Sequence, residues 1–358
     1  MMQNGMWNMD LSQRSWHWWF WLFFIDNPEN PIQPKQLMVI WSTKDIDKIK
    51  INSYLWHRER KAVRRGNRID FHGLIGTWYY DGKNMKEPYF MDERDFFVED
   101  NNGLGKLLTI ENDSHIFSGN PERYKLHLVK DDIDIDFDMV STNHSLSDLR
   151  FTNNNFFRGY GYDILKIHKM NLEGYLNDQG KEEDVTGTVY FQKVRINSPI
   201  VPGWYWGTVH MYDGSYLQYF MPHLGQQMLR RKYSQFSPLD RGERYLSRKV
   251  NFYHKEEDKT YDFSNARISK YFNKKGFPVF TLKADNGKER INFTLDCYSR
   301  ACWYFEQPML WIIRTFLYYN EYPAMLTKFT LEGNGKRITN SDLQGGVANC
   351  EHTWGSIL

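Results

Sequence analysis

The sequence predicts an all-β protein of antiparallel sheets, and three observations carry that prediction. Aromatic residues make up 17% of the 358 positions, with 13 Trp, 23 Tyr and 24 Phe; such side chains carry large apolar area and favour strands. Apolar or alternating segments recur at short intervals between Gly, Asn, Asp and Pro turns. Segments with helical character are few, 308–319 and the region 223–232 being the candidates, and the first is Ile- and aromatic-rich and reads equally as strand. Strands without intervening helices pair antiparallel, as barrels or sandwiches.

The first element is the run "RSWHWWFWLFFID" at 14–26. Its uninterrupted apolar part, Trp16 to Ile25, spans ten residues. A membrane-crossing helix needs about 20. The flanks lack the basic start and small-residue cleavage site of a secretory signal. No transmembrane segment is expected. As a strand the run places His17, Trp19, Trp21, Phe23 and Ile25 on one face, and Trp16, Trp18, Phe20, Leu22 and Phe24 on the other. Neither face is polar. Exposing either would cost roughly 1.5–3 kcal/mol per large side chain, so the strand must lie between two apolar layers.

The segment 36–43 follows a Pro-rich turn and is expected to pair with that run. The stretch 67–83 reads as strand with Gly breaks. Residues 124–140 form the clearest hairpin, turning at Asp131-Asp132, with Ile133, Ile135, Phe137 and Met139 alternating with Asp. The Asp spacing there starts like a calcium loop, but Phe137 stands where Gly is needed and Asn143 where Glu is needed. A solvent face explains it better, and no metal is expected. Further strands fall at 184–196, 203–221, 248–254, 278–298, 325–335 and 345–355. Asp213-Gly214 and Asn286-Gly287 supply hairpin turns. The break "NSPIVPG" at 197–203 divides the chain into expected domains 1–197 and 198–358.

Charged residues are 25% of the chain and the formal net charge is +2. That is a soluble globular composition without the basic field of a nucleic-acid binder. The basic segment 57–68 reads as a solvated loop or hairpin flank. Cys297, Cys302 and Cys350 form no CxxC pair and are odd in number, which suggests free thiols in a reducing, cytoplasmic setting. The chain contains no HExxH, nucleophile-elbow, phosphate-loop or dinucleotide pattern.

Four segments occur in an order that resembles one superfamily: "RSWHWWFWLFF", "VTGTVYFQKVRIN", "GWYWGTVHMYDGSYLQYF" and "GNGKRITNSDLQGGVANCEHTWG". The chain is similar to carotenoid 1,2-hydratases (hydroxyneurosporene synthases) and AttH-like proteins, a group that includes fungal Diels–Alderase-type pericyclases. The resemblance covers most of the chain, and its strongest piece is Trp204, Trp206, Asp213 and Gly214. It implies two lipocalin-like (calycin-like) antiparallel β-barrel domains packed together, with few short helices. It further implies a hydrophobic ligand held in or between the barrels, and polyene chemistry without a metal or organic cofactor. The hydratases carry an Asp-His pair near the end of the first domain. The matching stretch here is Gln192, Lys193, Val194 and Arg195, so in that register the family's acid/base pair is missing.

Candidate site residues follow from strand faces. Trp204, Trp206, Thr208 and His210 share one face. His210 reads either as a general acid or as a hydrogen-bonded core histidine. The tryptophans read as cavity lining or as core. Tyr190 and Gln192 share a largely apolar face, which makes Gln192 a polar group suited to a cavity. His17, Trp19 and Trp21 are candidate ligand contacts from the first strand. Of Glu351 and His352, one should face inward, and Glu351 is taken as the ligand contact.

Two functions fit. One is an isoprenoid- or polyene-binding enzyme that hydrates, cyclises or isomerises its substrate. The other is a non-catalytic carrier of such a molecule. The expected partner is a hydrophobic small molecule, a reading compatible with peripheral membrane contact for loading. A carbohydrate-binding module would instead place its Trp on an open face.

Overall fold

The computed structural model describes residues 6–9, 11, 15–112, 114–144, 150–155, 161–197, 201–224, 244–310 and 313–357. The first half contributes strands β1 (Ser15–Ile25), β2 (Lys35–Lys44), β3 (Lys48–Ile51), β4 (Tyr54–His57), β5 (Val63–Arg65), β6 (Arg68–Tyr80) and β7 (Met85–Asn101). It continues with β8 (Leu104–Thr109), β9 (His115–Asn120), β10 (Arg123–Lys130), β11 (Ile133–Ser141), β12 (Arg150–Asn155), β13 (Gly161–Asp178) and β14 (Lys181–Asn197). These pair in the order β11-β10-β9-β8-β7-β6-β2-β1-β14-β13, and β13 pairs back onto β11, closing an antiparallel barrel of ten strands. β12 pairs β13 and β5 pairs β6 outside that ring.

The second half contributes β15 (Gly203–Met211), β16 (Tyr216–Leu224), β17 (Arg244–Tyr245), β18 (Lys249–His254), β19 (Lys259–Phe263) and β20 (Arg267–Phe272). It ends with β21 (Pro278–Asp285), β22 (Glu289–Cys297), β23 (Ala301–Leu310), β24 (Ile313–Gly333), β25 (Lys336–Thr339) and β26 (Gly346–Ile357). Their order is β19-β18-β16-β15-β26-β24-β22-β21-β20. The sheet curls on itself: Phe252 on β18 meets Phe329 on β24 with ring centroids 4.9 Å apart, although three strands separate them along the sheet. The β3–β4 hairpin of the first half joins this second sheet by pairing with β23.

The expected hairpins are present. β10 and β11 turn at Asp131, whose φ is 51°, and Ile133, Ile135, Phe137 and Met139 are buried. β15 and β16 turn at Asp213-Gly214, with both Asp213 carboxylate oxygens accepting from Ser215. The described residues of 308–319 are strand, the alternative reading of this segment. Pro308 to Leu310 end β23, and β24 returns from Ile313 to pair with it. Its Ile and aromatic residues favour a pleated surface over a helix. Of 223–232, His223 and Leu224 end β16, and the rest lies outside the described residues. Several strands are also far longer than expected. β7, β14 and β24 run 17, 17 and 21 residues. Register shifts at Thr77/Tyr79, Ile167/Met170 and Thr294/Leu295 let long strands bend around a barrel.

β1 is buried on both faces. Trp19, Trp21, Phe23 and Ile25 belong to the core of the first barrel. Phe20, Leu22 and Phe24 belong to a separate cluster with Trp206, Tyr298, Trp303 and Val347 of the second sheet. Polar residues pin this seam. Gln36, fully buried, donates to Tyr298 Oη and to the Ala348 carbonyl, both at 3.0 Å, and accepts from Asn349 Nδ2 at 3.1 Å.

The first barrel is filled by side chains. Trp21 lies 4.4 Å from Phe117 and 5.0 Å from Phe191 between ring centroids. The segment 6–9 adds a plug: Met6, Trp7 and Met9 are buried in the barrel core, and the Met6 carbonyl accepts from Trp19 Nε1 at 3.0 Å. Trp7 lies over Gly105, where a Cβ would stand 2.2 Å from its ring. Gly105→Ala is expected to destabilise the protein by about 1–3 kcal/mol, and much less in a Trp7→Ala background. Denaturant unfolding of the four proteins measures this coupling; equal costs in both backgrounds would show that the plug does not occupy that space.

Candidate functional site

A cleft opens where the first barrel, the β3–β4 hairpin and the second sheet meet. It is open at its mouth, and its interior comprises about 60 Å³. Trp16, Met38 and Ile40 form one wall, Ile51 and Trp56 of the hairpin a second, and Trp303 and Tyr319 the third. The strand pattern explains the wall. β1 and β2 turn alternate side chains outward; the outward set of β1 is apolar, and that of β2 is apolar at Met38 and Ile40 and polar at Gln36, Ser42 and Lys44. Gly76 on β6 gives room at the floor, where a Cβ would stand 3.2 Å from the Trp303 ring.

Two groups of interest border this apolar space. One is Lys44, which is buried, donates to Gln307 Oε1 at 2.5 Å, and has its ammonium 4.3 Å from the Trp16 ring centroid. Burial lowers its pKa to about 7.

The other group is reached through Tyr319. Glu321 on β24 lies directly opposite Glu351 on β26, and both are buried. The Tyr319 hydroxyl lies within hydrogen-bond reach of Glu321 Oε1 and 2.8 Å from Glu351 Oε1. Trp204 Nε1 donates to Glu351 Oε2 at 2.6 Å. A phenol has one proton to donate. If it goes to one carboxyl oxygen, the other carboxyl must carry a proton and donate to the phenol. Glu351 already has two donors, which favours its anion. Glu321 Oε2 accepts no well-aligned hydrogen bond; the Trp78 indole beside it favours the anion, but desolvation and the nearby Glu351 outweigh it and favour the acid form. Above about pH 7, where Glu351 has lost its proton, the arrangement is therefore a chain: Glu321 carboxyl to Tyr319 hydroxyl to Glu351 carboxylate, capped by the Trp204 indole.

Electrostatics agree. Desolvation, then repulsion from Glu351, pushes Glu321 well above the usual carboxylate range. Desolvation lifts Glu351 to about 7, opposed by its bonds from Trp204 and Tyr319. A third acid, Glu87, accepts from the Cys302 amide at 2.6 Å; burial raises its pKa too, and it adds to the field on Glu321.

The sequence-derived candidates divide among three places. Trp204 and Glu351 bond to each other, and Trp206 and Tyr190 pack beside them, 5.1 Å between rings. Gln192 accepts from Tyr190 Oη at 3.1 Å, within a line of bonds that runs from Lys166 through Gln218 to Tyr190. Gln192 lies in that line at the seam and does not border the cleft. His210 is buried at the same seam. Its Nε2 donates to the His168 carbonyl and its Nδ1 accepts from Thr188 Oγ1, both at 2.8 Å. Burial pushes its pKa well down, so it is neutral and both nitrogens are engaged. His17, Trp19 and Trp21 face into the first barrel and do not border the cleft. The closing strand is buried on both sides: Glu351 faces the seam, while His352 stacks on Tyr205 at 4.3 Å.

Glu321, Tyr319 and Lys44 were missed by sequence reasoning. The signal for Glu321 was an acid embedded in "YYNEYPAML", an otherwise apolar strand. Among the described residues, no group of three or more His, Cys, Asp or Glu is placed to hold a metal ion, and no helix is long and apolar enough to cross a membrane.

Comparison with solved structures places this fold. The crystal structure of a candidate AttH from Nitrosomonas europaea is similar, with a TM-score of 0.53 at 12% identity, over 98% of this chain and 95% of that one. Kievitone hydratase from Nectria haematococca gives a TM-score of 0.41 at 11% identity, over 94% of this chain and 88% of that one. The first likeness shows a shared fold, the one the sequence resemblance implied. No protein-family model matches the sequence, and no curated protein matches it.

The acid pair has a thermodynamic signature. Glu351 holds its proton to about pH 7 in the folded state, whereas an unfolded Glu loses it near 4.3. Between those values the folded state binds more protons, so this group's contribution to stability falls as pH rises. Glu351→Gln should therefore flatten the decline, gaining on the order of 1–3 kcal/mol relative to wild type between pH 4.5 and 7.5. Urea unfolding at a series of pH values measures it. Parallel curves for the two proteins would show that Glu351 titrates normally.

Proposed function

We propose that the chain binds a hydrophobic, polyene-like molecule in the cleft between its barrels and protonates it without a cofactor, leading to hydration, cyclisation or isomerisation. The observation that supports this reading is the Glu321–Tyr319–Glu351 chain beside an aromatic cleft. Adding a proton to a carbon–carbon double bond needs an acid that is still protonated at neutral pH, and burial of paired carboxyls supplies one. Tyr319 lines the cleft and is the outlet. It gives its proton to the ligand while taking the one held by Glu321, so that no charge is stranded on the phenol. The negative Glu351 and the electron-rich faces of Trp16 and Trp303 favour the carbocation that forms. Water adding to the cation and losing a proton from oxygen gives the hydrated product; loss of a proton from carbon, directly or after attack by a second double bond, gives the isomerised or cyclised one. In each case the released proton returns through Tyr319 to Glu321, which the first step left as a carboxylate.

This acid replaces the Asp-His pair of the hydratases that the sequence resembles. The chemistry is expected on β24 and β26, rather than at Gln192 and Lys193. The fold shared with the Nitrosomonas europaea protein is compatible with two barrels packed together. The ligand class and the reaction rest on the cleft and its acid.

The test uses isotopic solvent. The two carboxyl protons and the phenol proton exchange with water, so turnover of a linear polyene in deuterium oxide should place deuterium on product carbon. A panel of lycopene, neurosporene and geranylgeraniol is incubated with the protein and read by mass spectrometry. Glu321→Gln and Tyr319→Phe should each lower the rate by about 10²-fold or more, with ligand affinity by tryptophan quenching little changed. Binding without deuterium in any product would support the carrier reading. A panel that neither binds nor reacts would remove both.

A further inference from the structure

The other buried lysines each have an acid within electrostatic reach. Lys35 lies in an ion pair with Glu183, and Lys169 and Lys193, which donate to the Met211 and Asn8 carbonyls, feel Asp213 and Asp163. Lys44 differs. Among the described residues no acidic side chain pairs with it, and no charged neighbour accounts for its lowered pKa; burial alone does. Its two contacts are a neutral amide oxygen, Gln307 Oε1, and the face of Trp16. Taking an ammonium out of water costs several kcal/mol, which one amide and one ring offset only in part. An ammonium has three donors, and Gln307 takes one of them.

Lys44 also borders the cleft, together with Ser42 and Thr43 of the same strand end. The remaining lining is almost wholly apolar: Met38, Ile40 and Leu74 lie farther along the same wall. A guest in this cleft would thus have a greasy body against those residues and one end against a buried amine that lacks a counter-charge.

We propose that the cleft selects hydrophobic carboxylates, with Lys44 as the residue that pairs with the acid head. This rests on the cleft being the ligand site and adds the ligand's polar end. The carboxylate completes Lys44 as Glu183 completes Lys35. It accepts the free donors, restores the charged amine, and leaves the hydrocarbon chain along Met38, Ile40 and Leu74. A neutral ester of the same chain makes the apolar contacts but leaves the ammonium as it is now.

The probe is cis-parinaric acid, a fluorescent linear polyene carboxylate, measured beside its methyl ester by fluorescence titration at pH 7. The acid should bind about tenfold or more tightly than the ester, the scale of one hydrogen bond to a charged group. In Lys44→Met the acid should fall to the affinity of the ester, while the ester's affinity stays within about twofold. A melting curve confirms that the variant folds, and the comparison of acid with ester in the wild-type protein stands without any variant. Equal affinity for acid and ester would overturn the carboxylate assignment and leave the cleft as a site for neutral polyenes. A preference that persists in Lys44→Met would assign the acid head to another group and overturn the role of Lys44. Failure of both probes to bind would remove the cleft itself.

Discussion

The constraint on which this structure depends is a strand with no polar face. β1 must satisfy two apolar environments at once, and the chain meets the demand by giving each face its own partner. Trp19, Trp21 and Phe23 complete the first barrel, and Phe20, Leu22 and Phe24 meet the second sheet. The wall of the barrel therefore doubles as the floor of the seam. Two barrels with ordinary polar exteriors would have no reason to adhere. Here the shared strand forces them together, and Gln36, Tyr298 and Asn349 fix the position by satisfying one another where water is excluded.

The cleft follows from the same constraint. Two curved sheets in contact along one line diverge on either side of it, and the β3–β4 hairpin bridges the divergence by adding to β23. Its Ile51 and Trp56 close one side of a space whose other sides are already aromatic. The first barrel is packed by its own tryptophans and by the segment 6–9, and the proposed guest space is the cleft between the barrels. Burial then sets the chemistry. Glu321 and Glu351 face each other across a ladder, both buried, and the single Tyr319 proton cannot serve both. The environment that makes the seam stable thus also keeps a carboxylic acid protonated near neutrality.

Much of this was legible in the sequence because β-structure writes its burial with period two. The faces of β1, the alternation at 133–139 and the Trp204–His210 face are all local patterns, and the structure shows each of them. Non-local facts were not legible. Glu321 becomes an acid pair only because β24 lies beside β26 in one register; a shift by one residue would point it elsewhere. The pairing of β3 with β23 joins positions more than 250 residues apart, and no local signal announces it. His210 carried the expected signature, a histidine among tryptophans, but two short bonds engage both nitrogens. Lys44 ends a strand whose sequence indicated only its pairing with β1, and its burial follows from Trp16 and Gln307 lying over it.

The central claim is that the guest lies in the seam that β1 creates. A crystal structure of the protein with a bound linear polyene tests it most directly. The account predicts density for the chain between Trp16, Trp303 and Tyr319, with the first barrel still closed by Trp7. Density inside the first barrel, with Trp7 displaced and the seam empty, would contradict it.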